Sequence, residues 1–330
     1  MFKPKTILIC SESDPIGDSI RSAKLLKAVI DEFPDAKITW GYKNGGVCEF
    51  DNALKGIFPI EILKFSYIGL NINKLMPLKE FEFDLVIDKQ RRLHFTLALM
   101  LKIKYKKFVS STRRWIFSDF KPKDRRKKDV LHQELSLLEA ITKKPVTPQN
   151  SIIPDERHRQ LADKFFTKKD KTIGLVPGAG HPSKCWLHYK ELAKKLNKDG
   201  FQIVIFLGPS ENSWYAEYKK ELPFAIFSLQ ETKSLDDTYN KVFYTIEIGK
   251  KLDLAVTNDC GTSHMLAEAN IPQIVLFGKT NSNKHRLFGE HYNISSKDID
   301  NTDNINNIPV EYVYDKVISL YKKIDEKKGR

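Results

Sequence analysis

The feature that most constrains this chain is an alternation of short β-branched apolar runs with amphipathic stretches of helical length, which occurs in both halves. Such alternation is typical of parallel sheets covered by helices, so the predicted fold class is α/β with two Rossmann-like domains. The predicted strands are 6–10, 38–40, 85–88, 172–176, 202–208, 252–257 and 272–277. The predicted helices are 19–32, 188–198 with Gly200 as its C-cap, one beginning near Glu211, 261–269, and Val310 to Lys323.

The length of 330 residues favours two domains of roughly 150 residues each. A polar stretch with three prolines, Lys143 to Arg157, has the composition of a linker. We therefore expect a first domain at 1–155, a second at 156–309, and a terminal helix within 310–330 that packs back on the first domain.

The formal charge of +13 predicts an anionic partner, which leaves nucleic acid, anionic lipid, phosphorylated glycan or nucleotide open. The apolar run 95–101 is far too short to span a bilayer, and the first ten residues lack a signal-peptide pattern. The four cysteines, which form no CxxC pair, favour neither a zinc site nor a disulfide framework: Cys10, Cys48, Cys185 and Cys260. A reducing cytoplasm is the expected location.

Chemistry is expected in the loops that follow the strands, because open parallel sheets bind ligands outside their carboxyl ends. Four such loops in the second half are small and polar: 177–186, 208–212, 257–264 and 278–281. In the third, Gly261 opens a helix whose free N–H groups form an anion site.

These loops carry a family resemblance. Asp259, Gly261, Ser263 and His264 match a D-(S/T)-G-x-x-H element, although Cys260 replaces the usual Ser or Thr. Three further matches are Pro177-Gly178-Ala179 with Lys184-Cys185-Trp186 (PGA…K-x-W), Phe277-Gly278-Lys279-Thr280 (FG-x-T, with Lys279 for the commoner Pro), and Ile16-Gly17-Asp18 (I-G-D). The chain thus resembles glycosyltransferase family 9, the ADP-heptose:lipopolysaccharide heptosyltransferases.

The resemblance implies a GT-B architecture whose two sheets face a cleft, with the acceptor on the first domain and the nucleotide-sugar donor on the second. It implies an inverting transfer from ADP-L-glycero-D-manno-heptose to an inner-core acceptor of lipopolysaccharide or lipooligosaccharide. No metal and no cofactor are expected, and the acceptor would be a lipid-linked or phosphorylated glycan. The protein itself is expected to make peripheral contact with the anionic inner membrane at its cytoplasmic face.

The resemblance assigns two catalytic roles. Asp18 would be the general base, although an Asp at a helix start is commonly only an N-cap. Lys184 would stabilise the leaving diphosphate, although most lysines are solvated surface. The expected donor-binding residues are Gly17, Pro177, Gly178, Ala179, Lys184, Glu211, Asp259, Cys260, Gly261, Thr262, Ser263, His264 and Thr280.

Within that set, Glu211 would hold the ribose hydroxyls, or would merely complement a helix dipole as a first-turn acid. His264 would contact the donor phosphate or the helix start, or would be a satisfied core histidine. A metal role for His264 is not expected.

Two further patterns need interpretation. Asp298-Ile299-Asp300 matches the DxD of metal-dependent transferases, but its polar surroundings favour a solvated turn. The stretch 102–128 interleaves basic residues with Phe108, Trp115, Phe117 and Phe120, which predicts either a solvated loop or a basic, aromatic surface for anionic headgroups or a phosphorylated acceptor.

Three alternatives stay open: a GT-B transferase that uses another nucleotide sugar, a non-catalytic nucleotide-sugar-binding protein, and a basic RNA-binding protein. No RNA-binding motif supports the last, so no nucleic-acid partner is expected.

Overall fold

The structure is a computed structural model that describes residues 2–65, 82–124, 129–165, 167–168, 171–232, 239–327 and 329. The chain divides into two compact units, Met1–Ser151 and Ile152–Arg330. This division lies inside the proline-containing stretch 143–157, four residues before the predicted boundary.

The first unit contains a parallel sheet flanked by helices. Its described strands are β1 (Thr6–Ser11), β2 (Lys37–Lys43), β3 (Ile60–Phe65), β4 (Glu82–Asp88) and β5 (Lys104–Ser110). Its described helices are α1 (Ile16–Glu32), α2 (Leu93–Lys102) and α3 (Val130–Thr142). The strand order is β3-β2-β1-β4-β5, and all five strands pair with their neighbours in parallel. The central strand β1 is apolar from Ile7 to Cys10 and buried from Ile7 to Ser11, as expected of a strand with both faces covered.

The second unit repeats this architecture with one more strand. Its described strands are β6 (Thr172–Val176), β7 (Gln202–Ile205), β8 (Ile226–Phe227), β9 (Leu254–Asn258), β10 (Gln273–Phe277) and β11 (His291–Ser295), in the order β11-β10-β9-β6-β7-β8. Its described helices are α4 (Glu156–Phe165), α5 (Tyr189–Lys198), α6 (Tyr215–Glu221), α7 (Ser228–Thr232), α8 (Lys241–Gly249), α9 (Gly261–Glu268), α10 (Ser296–Asp300) and α11 (Val310–Lys327).

Both sheets have the order of a Rossmann fold, which confirms the predicted α/β class with two Rossmann-like sheets. The strand order reverses between β1 and β4 in the first unit and between β6 and β9 in the second. At each reversal the loops diverge and leave a crevice, so these two switch points are where ligands are expected.

Most predicted elements are present with shifted ends. The helix predicted from residue 19 begins at Ile16, and the helix predicted near Glu211 begins as a 3₁₀ turn, Pro209–Trp214, that continues into α6. The C-cap of α5 is Asp199, and Gly200 follows it with φ +84°, the left-handed conformation that glycine commonly adopts just after a helix end. Asp298 and Asp300 are exposed, but they lie on the short helix α10 rather than in a turn.

The terminal helix requires a correction. We expected α11 to pack back on the first domain, but its apolar stripe is buried in the core of the second unit. The stripe follows a helical repeat of three and four residues, so one face enters that core beside α5: Val310, Val313, Val317, Leu320 and Tyr321.

No helix of the described residues is both long and apolar enough to cross a membrane.

Candidate functional site

The switch point of the second sheet lies where β6 and β9 end side by side, with Val176 paired to Thr257. Pro177, Gly178 and Ala179 follow β6, and Asp259 and the start of α9 follow β9. Two of the predicted binding loops are therefore neighbours.

Asn258, the last residue of β9, ties these loops together. It is fully buried, and its amide donates hydrogen bonds to the carbonyls of Val176 at 3.3 Å, Pro177 at 2.9 Å and Gly178 at 3.3 Å. Its Oδ1 atom accepts hydrogen bonds from the backbone N–H of Trp186 at 3.4 Å and from the hydroxyl of Tyr189 at 3.3 Å. The loop after β6 is therefore fixed by one side chain, which the sequence analysis did not select.

Lys184 and Asp259 meet at this switch point. Lys184 Nζ lies 2.7 Å from Asp259 Oδ2, with the two side chains 39% and 13% exposed. The neighbouring Trp186 is buried, and its ring N–H donates to the Ile308 carbonyl at 2.9 Å. Trp186 thus anchors the loop, while Lys184 reaches toward α9. A half-exposed pair of this kind adds little stability, so its main effect is to orient the ammonium group.

The N-terminus of α9 has the properties expected of an anion site. Cys260 is the N-cap, and its side chain accepts no capping hydrogen bond. Burial raises the pKa of the Cys260 thiol to about 12, an effect that the backbone N–H of Ser263 opposes and the nearby Asp259 reinforces. The thiol is therefore neutral at pH 7 and adds no negative charge at the positive end of the helix dipole.

The other residues of this helix start have distinct positions. Ser263 is buried, and its hydroxyl donates to the Cys260 carbonyl at 2.6 Å. Gly261, Thr262 and His264 are half-buried in the first turns of α9. Thr280 is half-buried in the loop after β10.

Glu211 lies against the same loop. It is 7% exposed, and burial raises the pKa of its carboxyl, with the backbone N–H of Gly208 opposing that shift. A Cβ atom on Gly178 would lie 2.4 Å from Glu211 Cδ, and one on Gly208 would lie 2.8 Å from Glu211 Oε2. Both positions therefore require glycine for the carboxylate to approach the backbone.

A cavity of about 330 Å³ lies beside the turn that carries Glu211. Its wall is partly apolar and contains Leu207, Tyr215, Leu229, Gln230 and Tyr239. The Oε1 atom of Gln230 is buried without a hydrogen-bond partner among the described residues, so the cavity presents an unused acceptor.

The switch point of the first sheet is built from charged side chains instead. Lys89, after β4, and Asp14, after β1, form a buried ion pair with 4% and 1% exposed side chains. Asp14 also accepts from the Trp40 ring N–H at 3.2 Å, and Lys89 donates to the hydroxyl of Ser22 at 2.7 Å. Burial lowers the pKa of Lys89, but Asp14 and Glu134 outweigh it, so the net shift is upward.

Asp18 projects from the first turn of α1 beside this network. The N-cap of α1 is Pro15, so the capping interpretation of Asp18 is wrong. The carboxylate is 44% exposed and lies 2.6 Å from Arg21, whose guanidinium also donates to Glu134 at 3.1 and 3.2 Å. Gly17 lies next to Asp18 in this unit, buried within α1.

These residues line a cavity of about 230 Å³. Asp18, Arg21, Arg91 and Ser111 all contribute to its wall. Ser111 Oγ is buried and has no hydrogen-bond partner in the described part of the chain, which leaves it available to a polar ligand. Arg91 donates a hydrogen bond to the neutral side-chain amide of Gln133. Burial lowers the pKa of the Arg91 guanidinium, and repulsion from Arg21 acts in the same direction.

The stretch 102–128 differs from the predicted basic and aromatic surface. Phe108 and Trp115 are 1% and 3% exposed and belong to the buried core, and Phe117 and Phe120 are half-buried. Residues 125–128 lie outside the described residues. The exposed apolar side chain here is Ile116.

No group of three or more His, Cys, Asp or Glu side chains that could hold a metal ion occurs among the residues described.

Comparison with known proteins gives consistent results. The family model "Glycosyltransferase family 9 (heptosyltransferase)" matches residues 75–308. Lipopolysaccharide heptosyltransferase 2 of Salmonella typhimurium is 30% identical over 138 residues, which are 40% of this chain and 38% of that protein. The aligned part thus spans well under two thirds of this relative.

Two solved structures resemble the chain over nearly its whole length. A family 9 glycosyl transferase of Veillonella parvula has a TM-score of 0.70 at 16% identity, covering 97% of each chain. The E. coli ADP-heptose LPS heptosyltransferase II has a TM-score of 0.66 at 18% identity, covering 97% of this chain and 99% of that one. At these identities the likeness shows the fold, which is that of the GT-B heptosyltransferases.

Proposed function

Because the chain belongs to glycosyltransferase family 9, we propose that it transfers heptose from ADP-L-glycero-D-manno-heptose to an inner-core sugar of lipopolysaccharide or lipooligosaccharide. The names of the Salmonella and E. coli proteins support this donor and this glycan. The observation that carries the proposal is the Lys184–Asp259 pair at the start of α9, which lies within the matched residues 75–308.

The second unit binds the donor in this proposal. The diphosphate lies at the N-terminus of α9, where free backbone N–H groups and the Lys184 ammonium both favour negative charge. The carboxylate of Glu211 accepts hydrogen bonds from the ribose hydroxyls. The nucleotide base occupies the neighbouring cavity, where Gln230 offers its free acceptor.

The first unit binds the acceptor. Its attacking hydroxyl displaces the diphosphate from the anomeric carbon in one inverting step, and Asp18 takes the hydroxyl proton as general base. As the bond to the diphosphate oxygen breaks, Lys184 and the α9 N-terminus stabilise the charge on ADP. Asp18 lies outside the matched residues 75–308, so its role depends on the I-G-D element and on its position in the polar cavity.

Two observations favour a second candidate, a nucleotide-sugar-binding protein without transfer activity. Asp18 already forms an ion pair with Arg21, which makes the carboxylate a weaker base. In addition, Cys260 supplies a neutral thiol where the family has a hydroxyl.

Calorimetry with ADP, and then with ADP-heptose, in metal-free buffer tests the donor site. Lys184→Ala is expected to weaken ADP binding at least about tenfold, because a charge-assisted contact to the diphosphate is lost. Lys198→Ala, an exposed lysine at the end of α5, is the matched control and should bind as the parent protein does. Binding of a UDP-sugar in preference to ADP-heptose would refute the heptose donor and leave the family assignment intact.

Asp18→Asn separates the two candidate functions. Transfer to a heptose-deficient lipopolysaccharide acceptor should fall at least about 100-fold while ADP binding is retained. Asp31→Asn, on the same helix and in an exposed pair with Lys27, should leave transfer unchanged. Donor binding by the parent protein without transfer to any acceptor of a panel would favour the binding protein.

A further inference from the structure

Two exposed apolar side chains lie on one face of α2. Leu97 is 39% exposed and Leu101 is 68% exposed, and their spacing of four residues places them one turn apart. Ile116, shortly after β5, is 65% exposed. Large apolar groups at such exposure lose favourable burial unless another surface covers them.

The turn after β5 has an unusual backbone. Arg113, Arg114 and Trp115 have φ values of 49°, 58° and 71°, all in the left-handed region that residues other than glycine disfavour. Both ends are held in the core, since Thr112 is 2% and Trp115 is 3% exposed. Strained backbone of this kind persists where the surroundings fix it, and it is concentrated at functional sites.

The consequence of this turn is that two cations point outward. Arg113 and Arg114 are exposed, and neither forms an ion pair with any acidic residue that the structure describes. By contrast, the neighbouring Lys106 pairs with Asp84 at 2.7 Å.

The helix face and the turn are joined rigidly. The hydroxyls of Thr96 on α2 and Thr112 in the turn lie 2.8 Å apart. Asp88, at the end of β4, accepts hydrogen bonds from Thr96 at 2.5 Å and from Ser110 at 2.8 Å. Side chains on the two elements therefore keep fixed relative positions.

We propose that Leu97, Leu101, Arg113, Arg114 and Ile116 form a docking surface for an anionic phospholipid bilayer. Unpaired arginines beside exposed aliphatic side chains match a membrane interface, where phosphates lie next to acyl chains. RNA is disfavoured because single-stranded nucleic acid stacks on exposed aromatic rings, and Phe108 and Trp115 are buried.

The position of the surface fits this partner. Ser111, next to Thr112, lines the cavity that contains Asp18, and so does Arg92, which directly precedes α2. The docking surface thus borders the cavity that the proposed function assigns to the acceptor, so a lipid-anchored acceptor would reach it from the bilayer. The docking itself does not rest on the transfer reaction.

Vesicle co-sedimentation of the full chain tests the proposal without any sugar substrate. The protein is expected to bind vesicles of equal parts phosphatidylglycerol and phosphatidylcholine, and to bind phosphatidylcholine vesicles only weakly. Arg113→Glu with Arg114→Glu should lower the partition coefficient about 25-fold or more, since each arginine near an anionic surface contributes about fivefold. Leu101→Ser with Ile116→Ser should lower it about tenfold.

Two matched control variants distinguish the loss of the docking surface from a general change in net charge or in exposed apolar groups. Lys198→Glu with Lys220→Glu makes the same change in net charge on exposed positions of the second unit and should cost less than about threefold. Ile153→Ser with Tyr312→Ser removes two other exposed apolar groups and should have no effect.

The proposal is overturned if the surface variants, shown to be folded by their urea midpoints, bind vesicles as well as the controls do. Failure of the parent protein to bind anionic vesicles would overturn it equally. Loss of polyuridylate binding in the arginine variant, with vesicle binding unchanged, would assign the surface to nucleic acid instead. A protein that transfers heptose but does not sediment with vesicles would refute the docking alone.

Discussion

The two switch points share one topology but are built from different chemical groups. In the first unit, buried charged side chains meet in the wall of the cavity: Asp14, Lys89, Arg21 and Glu134. In the second, one neutral side chain, Asn258, binds three backbone carbonyls, and the only ion pair described at the loop ends is the half-exposed Lys184–Asp259.

This difference shows how one fold can support acid–base chemistry at one switch point and anion binding at the other. Buried charged networks hold ionisable groups in defined states, which suits proton transfer. An amide that fixes backbone loops around a helix N-terminus creates an anion site without a buried charge. The first switch point is thus suited to acid–base chemistry, and the second to holding a diphosphate.

The difference between the two switch points is tested most strongly by replacing Lys89. Lys89→Met leaves Asp14 buried without its cation, while Glu134 keeps only Arg21, and should lower the free energy of unfolding by about 3–5 kcal/mol. Urea denaturation measures this loss. Lys37→Met, which breaks an exposed pair with Glu61 on the same sheet, should cost about 1 kcal/mol or less. Equal losses in the two variants would show that the buried network contributes no more to stability than an exposed ion pair does.

A smaller stability loss is expected in the second unit. Asn258→Ala removes bonds to three carbonyls, leaves them unsatisfied, and should cost about 2–4 kcal/mol. ADP affinity should also fall, because the loop that carries Gly178 and Lys184 loses its anchor. Asn293→Ala is the matched control, since Asn293 is a partly buried Asn of the same unit that donates one hydrogen bond, to the Ser282 carbonyl. Unchanged ADP binding in Asn258→Ala would mean that the loop is held by other contacts.

The two switch points also differ in how far the sequence predicts them. The second was predicted because its residues are contiguous in small polar loops, and Lys184, Asp259 and the α9 start do lie together. The first was predicted only through Asp18. Its network joins positions 14, 89 and 134, and such long-range pairing has no local pattern in one sequence.

Burial explains the remaining differences. Asn258 was visible in the sequence, but its function as a carbonyl-binding side chain depends on the alignment of β6 with β9. Phe108 and Trp115 were predicted at the surface because basic residues surround them, yet β5 is buried on both faces from Phe108 to Ser110, and the left-handed turn directs Trp115 inward. Local composition does not reveal where a strand becomes covered on both faces.

The pH dependence of transfer tests whether the first switch point performs acid–base chemistry. Arg21→Met removes the cation 2.6 Å from Asp18, so the carboxylate is protonated more readily. The acidic limb of the kcat/KM profile should then move to higher pH by about one unit or more. Arg21→Lys keeps the charge and should keep the limb near its original place. An unchanged limb in Arg21→Met would mean that Asp18 is not the group that titrates.

The smallest effect is expected at Glu211, where the second switch point does contain a buried acid. Burial raises the pKa of this carboxyl, so the folded state binds the proton more tightly than the unfolded state does. The stability that follows is present below the ordinary glutamate pKa and is lost as pH rises through the raised one. Glu211→Gln should therefore make the free energy of unfolding less dependent on pH over that window. At neutral pH it should raise the free energy of unfolding by roughly 1 kcal/mol or less. Glu217→Gln, at a carboxylate that is 64% exposed, is the matched control. If Glu211→Gln gains stability but loses ADP affinity, the buried charge is retained for the ribose rather than for the fold, whereas unchanged affinity would remove Glu211 from the donor site.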